Sequence, residues 1–212
     1  MSNNKKSGEV DIKVVMLGDS GVGKTSLLVR FLDNTFGNTR STIGASFFKK
    51  SIPSKSGKGS IELGLWDTAG QERYDSLSSF YCRHTNVALI CYNVTEESTF
   101  QNIQKWYHKL ETSVPAEDCF VILVGTKSDL GKSVITEKKV EDLISNNRLI
   151  FKHFVTSAKD GTNVSTIFDT IAEEYERRKA NNQNKRASLG MVPISQLQTN
   201  GDTSSSKKGC CG

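Results

Sequence analysis

Short unbroken apolar runs alternate along this chain with stretches whose apolar residues recur at helical spacing. Residues 12–17 read as a buried strand, and just beyond the glycine-rich segment that follows, Leu27, Leu28, Phe31 and Leu32 repeat with the three-to-four spacing of an amphipathic helix. Two further strand-like runs, 47–52 and 61–66, flank Pro53-Ser54-Lys55-Ser56-Gly57-Lys58-Gly59, which reads as a hairpin turn. The alternation then resumes with strand 87–94, helix 98–112, strand 120–125, helix 137–145, strand 150–156 and helix 164–179. Strands without polar alternation, separated by amphipathic helices, predict a three-layer α/β fold. Its sheet is mainly parallel and six-stranded, with one antiparallel strand from the hairpin and helices on both faces. Such sheets bind ligands at the carboxyl ends of their strands.

Beyond Lys179 the chain turns to Asn, Gln, Ser, Gly and Lys without a sustained period, too little apolar surface to offset ordering entropy. The organisation expected is a flexible start at 1–9, one folded domain at 10–179 and a disordered tail at 180–212. A chain of 212 residues can bury one core without disulfides or structural metals. No apolar run approaches the length of a spanning helix, the basic start has no apolar segment behind it, and Ser2 does not fit a myristoylation pattern, so the expected compartment is the cytosol. The formal charge of +5 invites a nucleic-acid partner, but the tail contributes +3 of it and the rest of the chain is nearly balanced, 24 basic residues against 22 acidic. No basic stripe remains to bind nucleic acid. Cys82, Cys91 and Cys119 are scattered while Cys210 and Cys211 adjoin, neither a disulfide framework nor a zinc spacing.

The chemistry starts at Gly18-Asp19-Ser20-Gly21-Val22-Gly23-Lys24-Thr25-Ser26, which satisfies Gly-x-x-x-x-Gly-Lys-Ser/Thr between a strand and a helix. Glycines let backbone N–H groups wrap an anion, Lys24 brings charge to the outer phosphates, and the Thr25 hydroxyl is a magnesium ligand. A glycine-rich turn would meet this spacing by chance in roughly one per cent of chains this long, and rarely in this context. The motif fixes a nucleoside triphosphate but neither its base nor its fate. Asp67-Thr68-Ala69-Gly70-Gln71 ends the second hairpin strand: Asp67 can hold magnesium, the Gly70 N–H can meet the terminal phosphate, and Gln71 can orient an attacking water. Further on, Thr126-Lys127-Ser128-Asp129 follows a buried strand. Asp129 can accept from the N1–H and exocyclic amine of guanine, an amine adenine lacks, while the Lys127 stem can pack on the purine. Ser157-Ala158-Lys159 after the last strand can add a backbone N–H to the guanine carbonyl.

Taken together, Gly18 to Thr25, Thr42, Asp67 to Gln71, Thr126 to Asp129 and Thr156 to Lys159 resemble the five guanine-nucleotide motifs of the Ras-like small GTPases over about residues 12–179. Thr42-Ile43-Gly44-Ala45-Ser46-Phe47, the run from Leu65 to Tyr74, Tyr92-Asn93-Val94-Thr95 and the paired terminal cysteines are similar to the Rab group. The resemblance implies the P-loop GTPase fold and a magnesium-dependent switch that cycles between GTP and GDP. Its hydrolysis is slow until an activating protein supplies an arginine. It implies that Thr42 binds magnesium and senses the γ-phosphate, that Phe36 packs against guanine, and that switch segments at 36–46 and 67–79 order around GTP. Ile43, Gly44, Phe47, Trp66 and Tyr81 would then be read by effectors; core packing accounts equally well for the three aromatics. Thr126 departs from the usual Asn, and Phe36 lies one residue closer to Thr42 than is usual.

Adjacent cysteines on a basic leash read as a double lipid anchor, since one chain holds a protein to a membrane only marginally and each buried methylene adds about 0.8 kcal/mol. By resemblance the lipid is geranylgeranyl on Cys210 and Cys211, which implies a geranylgeranyl transferase, an escort or GDP-dissociation-inhibitor protein and an exchange factor as partners. The expected site of action is the cytoplasmic face of an intracellular membrane in vesicle traffic, with the protein monomeric. Two other readings are a P-loop phosphotransferase, for which no acceptor pocket or arginine-rich lid is found, and a hydrolysis-deficient nucleotide-bound scaffold, against which Lys24, Thr25 and Gln71 speak.

Overall fold

The structure, a computed structural model, describes residues 9–57, 59–70 and 80–188. In chain order the elements are β1 (Ile12–Leu17), α1 (Lys24–Asp33), β2 (Ala45–Pro53), β3 (Ser60–Thr68), β4 (Val87–Asn93), α2 (Glu97–Gln101), α3 (Ile103–Glu111), β5 (Phe120–Thr126), α4 (Glu137–Asn146), β6 (Ile150–Val155) and α5 (Val164–Ser188). The sheet runs β2-β3-β1-β4-β5-β6. β1 pairs in parallel with β3 and β4, β5 in parallel with β4 and β6, and only β2 is antiparallel, on β3. This is the mixed six-stranded sheet the sequence predicts, and the order reverses direction at β1. The crevice outside the carboxyl ends of β1 and its neighbours is where such a sheet places its ligand.

The central strands β4 and β5 are buried at every position, as befits strands covered on both faces. On one face Val15, Leu17, Ala88, Ile90, Val121 and Leu123 form a core with Ile103, Trp106, Tyr107 and Leu110 of α3 and Val140 of α4. Side chains of opposite parity, such as Val14, Met16 and Leu65, are equally buried and point to the other face. There Phe31 of α1 stacks on Phe168 of α5 with ring centroids 3.5 Å apart. Val164, Ile167, Phe168, Ile171 and Ala172 supply the buried stripe of α5 at the spacing of a single helix face. Cys82, Cys91 and Cys119 are buried free thiols, and burial raises Cys82 to about 11 and Cys91 to about 12.

Two element boundaries differ from the sequence pattern. The helix expected at 98–112 is two helices, broken at Asn102, whose carbonyl accepts from both Lys105 N–H (3.1 Å) and Trp106 N–H (3.4 Å). The last helix continues to Ser188 instead of stopping at 179, because residues 180–188 carry neither Gly nor Pro and are mostly tolerated in helices. The chain divides into two compact units after Glu174; in the second, the Lys179 ammonium lies 5.8 Å from the Tyr175 ring centroid. No helix among the described residues is long and apolar enough to cross a membrane.

Candidate functional site

Two adjoining cavities open at the carboxyl ends of the parallel strands. One, of about 430 Å³, is lined by Ser20, Gly21, Lys24, Thr25, Thr42 and Gly70; the other, of about 120 Å³, by Phe36, Thr126, Asp129, Leu130 and Ala158. Gly23, Ser26 and Lys127 line both, so the two form one cleft with a polar end and a more apolar end.

The polar end is built by β1 running through a glycine-rich loop into α1. Gly18 sits against β4 so closely that a Cβ there would lie 2.3 Å from the Cys91 carbonyl oxygen, and its φ of 135° is one that other residues rarely adopt. Gly23 caps α1 at φ 105° with no side-chain acceptor, and the first turn carries no acid. The free N–H groups and positive dipole end of α1 therefore face the cavity without internal compensation, an arrangement that binds anions. Lys24, only 6% exposed, donates from Nζ to the carbonyls of Gly18 and Asp19, both at 2.8 Å. Burial holds its pKa below the ordinary lysine value, partly opposed by the nearby carboxylates of Asp67 and Asp19. A phosphate beside it would restore the stability of its charged form.

Three segments meet at the edge of this cavity. The Thr25 hydroxyl donates to Asp67 Oδ2 at 2.7 Å, the Thr42 hydroxyl donates to the same oxygen at 3.1 Å, and the two hydroxyls are 3.0 Å apart. Asp67 is 1% exposed, and its other oxygen, Oδ1, is buried with no hydrogen-bond partner among the described residues. Desolvation raises its pKa, against the lowering by both hydroxyls and Lys24. One carboxylate with an open oxygen and two hydroxyls make an all-oxygen donor set, which suits a small hard divalent cation completed by water and phosphate.

At the apolar end, Asp129 accepts at Oδ1 from the Ser157 hydroxyl (2.7 Å), which itself accepts from the N–H groups of Lys159 (3.1 Å) and Asp160 (3.3 Å). The two loops after β5 and β6 are thereby locked together, and Ser128 N–H adds a bond to the Thr156 carbonyl at 3.0 Å. The bond from Ser157 fixes the Asp129 carboxylate through one of its oxygens, on a residue that lines a slot with Phe36 and Lys127.

Known proteins agree with this geometry. Residues 13–177 match the family described as Ras family. The chain is 34% identical over 205 residues to the Ras-related protein Rab-24 of Dictyostelium discoideum, covering 96% of this chain and 98% of that one. It is 36% identical over 212 residues to the Ras-related protein SEC4 of Saccharomyces cerevisiae (99% and 95%), and 38% over 179 residues to the Ras-related protein Rab-17 of Mus musculus (84% and 82%). The chain belongs to the Rab group of the Ras family. It is a small GTPase that binds GTP and GDP, hydrolyses GTP and regulates membrane traffic, and this family works with exchange factors, activating proteins and effectors.

Within this Rab-type chain, Phe36 lines the base slot although it lies close to Thr42 in sequence, and remains 50% exposed. Thr126, standing for the more usual Asn, places its hydroxyl 2.5 Å from the Val22 carbonyl and 2.8 Å from that of Tyr92, so its single proton ties the phosphate loop to β4. Phe47, Trp66 and Tyr81 form a row with centroids 5.0 and 5.5 Å apart; Phe47 is half exposed and Ile43 largely exposed. The Gly44 carbonyl accepts from Ala69 N–H at 2.8 Å, bridging the segment before β2 and the end of β3. The Asp19 side chain bonds to α3 and its preceding residue rather than lining the cleft. Gln71, Cys210 and Cys211 lie outside the described residues.

Arg30 of α1 carries no motif signal, yet Nε donates to the Ala158 carbonyl and an Nη to that of Lys159, both at 2.6 Å. The helix that follows the glycine-rich loop thus also holds the loop after β6. The contact spans more than a hundred residues, so no local pattern announces it.

Proposed function

We propose that this cleft performs the GTPase cycle with the phosphates in the loop from Gly18 to Thr25 and guanine in the slot between Phe36, Lys127 and Ala158. The observation that carries the reading is the convergence of the Thr25 and Thr42 hydroxyls on the buried, half-satisfied carboxylate of Asp67. The three belong to the phosphate loop, the segment before β2 and the end of β3, so whatever occupies the place beside them sets the position of all three segments. Those hydroxyls and that carboxylate would hold magnesium, which supplies charge neutralisation to the phosphates. Lys24 and the N–H groups at the start of α1 bind the outer phosphates, and Gln71 orients the water that attacks the γ-phosphorus. The bond to the bridging oxygen breaks, leaving GDP and phosphate. Asp129 reads the guanine N1–H and amine. Loss of the γ-phosphate removes the contacts of Thr42 and Gly70, and the surface of Ile43, Gly44, Phe47, Trp66 and Tyr81 changes with them.

We further propose geranylgeranylation of Cys210 and Cys211, delivery by an escort protein, retrieval by a dissociation inhibitor, and residence on the cytoplasmic face of an intracellular membrane. Single-turnover hydrolysis of GTP beside ATP, with magnesium and with chelator, tests the core of the reading. GTP should be cleaved slowly and ATP not at all. Gln71→Leu should slow cleavage while GTP binding persists, and Thr25→Asn should weaken magnesium-dependent binding. Equal cleavage by Gln71→Leu and the unaltered protein would remove Gln71 from its role.

A further inference from the structure

A carboxylate in a loop that seats a polyphosphate is an electrostatic liability, since like charges repel and a nearby cation is drawn to both. Asp19 is that carboxylate, and it is half-buried. Its neighbour in charge is the Lys24 ammonium, already bonded to the Asp19 carbonyl at 2.8 Å and stabilised by the Asp19 charge. A freely rotating Asp19 would therefore compete for the cation that the phosphates need.

The fold supplies two other donors. Trp106 Nε1 donates to Asp19 Oδ1 at 2.8 Å and Asn102 Nδ2 donates to Oδ2 at 2.7 Å. The two side chains are four residues apart, one helical turn, and Asn102 sits at the break between α2 and α3. Trp106 is 2% exposed, fixed in the core with Ile103 and Leu110 and covered by the Lys109 ammonium 4.6 Å from its ring centroid. A Cβ built on Gly70 would lie 2.3 Å from both Asp19 C and Ser20 N, so the second switch abuts the peptide that follows the carboxylate held by Asn102 and Trp106.

We propose that Trp106 and Asn102 are positioning residues of the nucleotide site: their N–H groups take both oxygens of the Asp19 carboxylate, turn it away from the phosphate seat, and leave Lys24 to the phosphates. The inference rests on the assignment of the loop from Gly18 to Thr25 as that seat.

The full-length protein serves for the test, read as the release rate of a fluorescent GDP analogue in magnesium, with thermal melting as the check on folding. Trp106→Phe keeps an aromatic ring and removes the N–H; it should speed release about tenfold, the loss expected for a hydrogen bond to a charged group. Asn102→Ala, at an exposed position that leaves the core intact, should speed release by about threefold. In an Asp19→Asn background no charge competes for Lys24, and each replacement should change release by less than about twofold. Release at the unaltered rate in both single variants would overturn the proposal. So would equal acceleration with and without the Asp19→Asn replacement, which assigns the two side chains to packing alone. If Trp106→Phe fails to fold, the Asn102→Ala pair decides by the same comparison. Failure of the unaltered protein to bind GDP in magnesium would instead sink the loop assignment itself.

Discussion

Asp67 concentrates the tension of the site in one side chain. Its burial and unpartnered oxygen disfavour the charge it would carry in holding the proposed cation, and its pKa is raised accordingly. A carboxylate whose folded pKa lies above its unfolded value binds more protons in the native state, so the stability it contributes falls as pH rises through the interval between the two. Asp67→Asn should therefore raise the melting temperature of nucleotide- and metal-free protein at pH 7, and the gain should shrink as pH drops toward the usual carboxylate range. With magnesium and GDP present the same variant should be the less stable one. A gain independent of pH would show that the charge is not its source. Thr126 offers a second test. Thr126→Val preserves shape and strips the proton from two buried carbonyls, a loss of about 1–3 kcal/mol; GDP release should quicken by roughly tenfold, and an unchanged rate would mean the tie to Val22 does not hold the loop.

Among the elements, α1 does two jobs at opposite ends. Its amino end faces the phosphate cavity, while Arg30, two turns on, grips the carbonyls of Ala158 and Lys159 in the loop that borders the base slot. A lysine can reach one carbonyl but cannot reproduce the fork of the guanidinium. Arg30→Lys should loosen the base end alone, quickening GDP release by about fivefold while affinity for inorganic phosphate analogues stays put; a parallel loss of both would place the defect in the helix as a whole. These elements also mark what sequence pattern conveys. Buried strands such as β4 and β5 are apolar up to their last residues, Asn93 and Thr126, and could be read from their runs, as could the phosphate loop, because their causes lie in neighbouring residues. The break at Asn102 could not, since every residue from 98 to 112 tolerates a helix and the side chains that exploit the break face a partner more than eighty residues away. Arg30 was hidden for the same reason. Nor does an aromatic residue declare its exposure: Phe47 is half exposed and Trp106 buried, with nothing adjacent to tell them apart.

The molecule as a whole joins a folded nucleotide switch to a basic tail that carries Cys210 and Cys211, and the two parts should be separable. Replacing both Cys210 and Cys211 by serine should leave GTP hydrolysis in solution unaltered and shift the protein from membranes to the soluble fraction of its own cells; retained membrane binding would refute the anchor. The three cysteines inside the fold bear on how the proposed anchor can be measured. Cys82, Cys91 and Cys119 are shut away from solvent, and burial pushes Cys82 to about 11 and Cys91 to about 12, so at neutral pH those two offer no appreciable thiolate and all three are screened from an alkylating reagent. A maleimide titration of the native protein then reads only the last two cysteines. Two reactive thiols report a bare chain, one a singly acylated or prenylated chain, and none a chain with both anchors in place.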